Sequence, residues 1–186
     1  MSLLVTAPAE EPVLLSEAKA HLRVDGGDED TLITSLIVAA RVQAETLTGR
    51  ALITQTWDWY ADSFPDCTIV LPLPMLQSVT HIKYNDSAGD LQTLSTALYQ
   101  VDATSPCGRV MPAFGQTWPV TREQFNAVNI RFVAGYGAAS AVPQTIKQWM
   151  LLKIAELFEQ REASQERPAV GLSFVDRLLD PYKVYA

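Results

Sequence analysis

Residues 30–49 read Asp-Thr-Leu-Ile-Thr-Ser-Leu-Ile-Val-Ala-Ala-Arg-Val-Gln-Ala-Glu-Thr-Leu-Thr-Gly, and this stretch decides the fold class. Leu32, Ile33, Leu36, Ile37, Ala40, Ala44 and Leu47 recur at spacings of three and four, while Thr34, Arg41, Glu45 and Thr48 fall elsewhere on the wheel. Asp28, Glu29 and Asp30 suit a helix start, where backbone N–H groups lack partners and the dipole is positive. Gly49 supplies a left-handed stop. The pattern predicts an amphipathic helix of roughly 28 Å. Upstream, Ser16 is expected to cap a short helix with Ala18 and Leu22 on one side, broken by Asp25-Gly26-Gly27.

Downstream, residues 53–134 change character. Thr56-Trp57-Asp58-Trp59-Tyr60 is rich in strand formers and sets both tryptophans on one face. Short strands are expected at Thr68–Leu71 and Val79–Tyr84, and Asn85 to Asp90 is turn chemistry for a hairpin. Val128, Ile130 and Phe132 alternate with Asn129 and Arg131, as in a half-buried strand. Prolines 65, 72, 74, 106, 112 and 119 keep the strands short, so a small antiparallel sheet with irregular connections follows.

Helical spacing returns at Pro143 and runs to about Glu162. Ile146, Met150, Ile154 and Leu157 share a face, but Leu151, Leu152, Ala155 and Phe158 point elsewhere. A helix apolar on several sides is either central to its own subunit or packed on a second one. After the polar break Ser164–Pro168, the tail from Phe174 to Leu179 reads as one or two further helical turns, ended by Asp180-Pro181. The expected class is therefore α+β, a helical frame with an inserted antiparallel β lobe. Its parts are 1–52 (first half of the frame), 53–135 (the insertion) and 136–186 (long helix and tail).

The chain has 186 residues, 48% apolar and 19% charged, with a net charge of −7. That supports a real core in one domain or two interlocked lobes. No apolar run reaches the ~18–20 residues of a membrane helix. The opening MSLLVTAPAEEP lacks the basic start of a secretion signal and is compatible with a cloning scar. Fourteen basic residues against 21 acidic ones make poor material for gripping phosphate backbones. Two cysteines do not build a disulfide scaffold; Cys67 and Cys107 are expected as reduced thiols, although spacing leaves a bridge open.

Candidate chemistry is sparse. His21 and His81 have no partner at metal-ligand spacing. The acids of Asp25–Asp30 do not alternate as calcium ligands must, and helix capping accounts for them. Gly135-Tyr136-Gly137 mimics a dinucleotide fingerprint, but Ser140 replaces the third glycine, the helix starts late and no further strand follows, so the segment reads as a linker. Paired carboxylates facing across a cleft, as in a glycosidase, cannot be read from scattered acids. Trp57 and Trp59 could serve a carbohydrate-binding strand, but core packing is the stronger reading of them. No catalytic residue, cofactor or metal site is expected.

Order and spacing carry more. Leu15-Ser16-Glu17-Ala18-Lys19-Ala20-His21-Leu22-Arg23-Val24 with Asp28-Glu29-Asp30, then Ala39-Ala40-Arg41 through Thr48-Gly49-Arg50-Ala51-Leu52, resembles the opening of tailed-phage head–tail connector (adaptor) proteins. The resemblance continues through Leu73-Pro74-Met75-Leu76, Ala134-Gly135-Tyr136-Gly137, Val142-Pro143-Gln144 and Glu159–Glu162, and ends at Leu178–Lys183. It implies a structural, non-enzymatic component of the virion neck, made in the host cytoplasm. Such a protein assembles as a ring of roughly a dozen subunits beneath the portal protein and seats tail or stopper proteins. Packaged DNA passes through the channel without sequence-specific binding, which acidic charge suits. The β block resembles the version with a larger insertion. Leu151, Leu152 and Phe158 on the long helix, with Phe174, Leu178, Leu179, Tyr182 and Tyr185 in the tail, are the candidate subunit or partner interface. The rival functions are another neck or tail-completion protein and a small nucleotide-binding enzyme.

Overall fold

The computed structural model describes residues 1–105, 107–160 and 173–184. Pro106, the expected helix end at Glu162, the polar break and Tyr185 lie outside them. Contacts group the chain into a β unit, Met1–Pro8 with Thr54–Tyr136, and a helical unit, Ala9–Ile53 with Gly137–Ala186. The class is α+β.

In the helical unit, α1 spans Leu15–Leu22 and α2 spans Asp30–Thr48. Ser16 lies inside α1 and does not cap it: the Glu17 carboxylate instead accepts the Leu14 N–H at 2.8 Å, because a carboxylate one turn in reaches back to an unpaired amide. Ile33, Ile37, Ala40 and Ala44 bury the apolar stripe of α2, and Gly49 ends it at φ +67°. Arg41 is also buried. Its guanidinium bonds Glu11 at 2.8 Å and Glu45 at 2.7 Å, and Glu45 in turn accepts the Leu52 N–H at 3.0 Å. One buried cation thus ties the entering segment, the helix and the exit into one network, and removing it would take a guanidinium away from both carboxylates. Helix α3, Gln144–Glu159, buries Ile146, Trp149, Met150 and Ile154.

The β unit holds two sheets. Strands β1 (Ser2–Thr6), β2 (Gln55–Ala61), β4 (Leu76–Asn85), β5 (Leu91–Thr93) and β8 (Val128–Ala134) form one, in the order β1-β2-β8-β4-β5. Strands β3 (Ile69–Val70), β6 (Tyr99–Asp102) and β7 (Arg109–Pro112) form the other, in the order β3-β7-β6. Every neighbouring pair is antiparallel. The sequence reading expects a single small sheet, and this is corrected: a second sheet forms around β7. The opening residues, given no element in the sequence reading, supply β1, which pairs with β2 from Ser2↔Trp59 to Thr6↔Thr56. Trp57 and Trp59 face Phe132 and Ile130 across the ladder. Val128, Ile130, Phe132 and Ala134 are all buried, so the predicted alternation in β8 holds through the strand. The hairpin between β4 and β5 is closed by Asp86, whose carboxylate accepts the N–H groups of Ala88, Gly89 and Asp90, each at 3.0 Å.

Candidate assembly surface

Several ionisable groups of the β unit are engaged in structure. Asp58 in β2 receives Arg131 of β8 through two bonds of 2.8 Å, and this pairing holds its carboxyl below the usual range against the opposing effect of burial. His81, opposite Arg131 on β4, is pushed down by burial and by Lys83. Asp102 accepts the hydroxyls of Ser105 and Thr104 and then Arg109, which hold it well below the carboxylate range. Among the described residues no group of three or more His, Cys, Asp or Glu is arranged to hold a metal ion. Cys67 and Cys107 are free thiols. The Gly135 amide is spent on Met75 C=O at 2.9 Å and its carbonyl on Gln77 at 2.9 Å, so it offers no phosphate cradle.

What remains is surface. On α3, Leu151, Leu152 and Phe158 are half-buried, leaving apolar area beside the fully buried row. The tail forms a helical turn, α4 (Ser173–Asp176), followed by a tighter 3₁₀ turn over Arg177–Tyr182. This tail lies on its own helical unit. Trp149 Nε1–H donates to Asp176 at 3.0 Å, Arg50 Nε–H donates to Tyr182 C=O, and Val184 N–H donates to Thr48 C=O at 3.0 Å. Leu179 is fully buried there. The structure therefore removes Leu179 from the candidate interface and assigns it to the core, because its turn packs against α2 and α3. Leu178 and Tyr182 stay half-buried; Phe174 lies in α4, and Tyr185 is outside the described residues.

The sequence predicts lateral contacts from the apolar face of the helix starting near Asp30, but that face is buried within the subunit and the exposed surface of α2 is a different one. Thr31, Ser35, Val38, Ala39, Val42 and Thr46 are all exposed and fall within a stripe about 100° wide. None is charged. Ser35 and Thr46 turn their hydroxyls back onto the carbonyls of Leu32 and Val42, at 2.7 and 2.8 Å, so these two hydroxyls are already satisfied within the helix. The result is a smooth, nearly apolar flank that admits close approach of another helix. Its mark in the sequence is the absence of charge at these spacings, on the side of the helix away from its apolar period.

Residues 13–96 match the family of phage gp6-like head-tail connector proteins. No curated protein matches the chain. Among solved structures, the chain is similar to one in the virion of a native gene transfer agent particle, at 25% identity and TM-score 0.82 over 100% of this chain and 96% of that one. It is equally similar to chains in two neck reconstructions. One is the neck of the empty particle computed with C6 symmetry, at 23% identity and TM-score 0.82, again over 100% and 96%. The other is the neck of the native particle computed with C12 symmetry, at 23% identity and TM-score 0.80, with the same coverage.

Proposed function

We propose, from the phage gp6-like head–tail connector family carried by residues 13–96, that this chain is a structural connector of a virion neck which closes into a ring on the portal protein and seats tail or stopper proteins. The observation that carries the reading is the full-length likeness to neck chains in particles of cyclic symmetry. A ring subunit makes heterologous contacts and needs two different flanks. The uncharged stripe of α2 supplies one. The half-buried Leu151, Leu152 and Phe158 on α3, with Leu178 and Tyr182 of the tail, supply the other. The ring forms in the host cytoplasm during assembly, and DNA passes its acidic channel without being read.

The test is reconstitution with a portal protein from the same genome. Electron microscopy is expected to show a closed ring of this chain on the portal, and particles lacking the chain should fill with DNA and leak it. Val42→Glu and Leu152→Glu should each abolish the ring while leaving the circular dichroism of the free chain unchanged. A chain that never binds portal, or knockout particles with stable filled heads, would move it to a tail-completion role.

A further inference from the structure

We infer that the β unit carries a peptide-binding groove whose occupant is an extended, cationic segment of a partner protein. Between the segment after β2 and the long connection from β7 to β8 lies a cavity of about 890 Å³, in the range of roughly 300–1,000 Å³ typical of ligand sites. Its floor is fixed. Phe64 and Trp118 stack with centroids 4.8 Å apart and planes 5° from parallel, Trp118 Nε1–H donates to Cys67 C=O at 2.7 Å, and Phe64 meets Tyr84 edge-on. Its rim is greasy: Phe125 is 86% exposed and Val120 77% exposed, so both keep in water the apolar area that a partner would cover.

Two further features identify the occupant. Asp62, Asp66 and Glu123 line the cavity against one cation, Arg122. That guanidinium leans over the β4–β5 turn, where a Cβ on Gly89 would collide with it. The groove therefore presents uncompensated negative charge, which repels phosphate backbones and favours lysine and arginine. It also disfavours a second copy of this chain, whose net charge is −7. Among the described residues, the backbone N–H groups of Thr117, Trp118 and Val120 have no protein partner. Open main-chain donors beside an aromatic, proline-lined floor suit an extended strand rather than a helix. None of this depends on ring formation.

The test is a random-peptide display selection against the full-length chain, followed by amide chemical-shift mapping with the winning peptide. Enriched sequences should combine Lys or Arg with Pro or apolar residues and shift the amides of 62–66 and 116–125. The doubly charge-reversed variant Asp66→Lys/Glu123→Lys, altered only at exposed side chains, should bind at least about tenfold more weakly with an unchanged spectrum elsewhere. No enrichment, winners without basic residues, shifts outside the groove, or equal binding to the variant would each overturn the proposal. Ring assembly on the portal can succeed or fail independently of any of these results.

Discussion

Leu179→Ala tests where the tail belongs. The side chain is fully buried in the turn Arg177–Tyr182, against α2 and α3 of the same subunit. Truncation removes three buried carbons at about 0.8 kcal/mol each, or about 2.4 kcal/mol of transfer free energy. The unfilled space raises this to about 2.5–5 kcal/mol. In a chain of this size that lowers the melting temperature by roughly 5–20 °C. Urea unfolding followed by tryptophan fluorescence is a direct assay, because Trp149 is hydrogen-bonded to Asp176 at the start of the tail. The loss should be the same at every protein concentration. A loss below about 1 kcal/mol would show that the turn is not seated in solution. A loss that grows with concentration would show that it is seated on a neighbouring subunit. Either result refutes intramolecular docking.

The other predictions concern the core and acid stability. Arg41→Ala withdraws the buried guanidinium shared by Glu11 and Glu45 and should cost about 3–5 kcal/mol by chemical denaturation, the larger part rescued in a background where both acids are neutralised. Gly108→Ala should cost about 1–3 kcal/mol, since the new Cβ would lie 2.5 Å from Leu76 Cβ and 2.9 Å from Cγ, atoms too near the backbone to swing aside. His81 and Asp58 both have folded pKa values below their ordinary 6.5 and 3.8, so the unfolded chain binds more protons in acid. Stability should be full above about pH 7, fall as pH drops below the ordinary histidine value and fall again below the ordinary aspartate value. His81→Gln should erase the first step in a series of thermal melts, and a wild-type melting temperature flat from pH 7 to 5 would contradict the assignment.

Much of this architecture is legible in the residues where one physical signal dominates. Helix α2 shows because its apolar period and Gly49 agree, and β8 shows because one face is buried and the other is not. Where the deciding contact is distant in sequence, the signal vanishes. Strand β1 leaves four of its five residues exposed, so it has no alternation to read and exists only through its pairing with β2. Arg41 looks like an outward charge until Glu11, thirty residues earlier, folds onto it. Leu178 and Leu179 are neighbours of identical type, and only the packing of their turn decides that Leu179 is core while Leu178 stays half-buried. On α2 the sequence points to the apolar face, which the subunit buries itself, while small side chains such as Ser35 and Thr46, bonded to their own helix, look featureless one at a time.

The pairing of β1 with β2 also governs how this molecule can be taken apart. The polypeptide passes from one unit to the other three times, after Pro8, after Ile53 and after Tyr136. Neither half can be excised as one uninterrupted fragment. A clone begun at residue 9 would strip a strand from the five-stranded sheet and uncover β2, whereas splicing Ile53 to Gly137 would discard the insertion but keep both helical segments. Evolutionary or laboratory shuffling of the lobe is therefore simplest as a cassette swapped at those two inner joints, with the leading eight residues travelling alongside it.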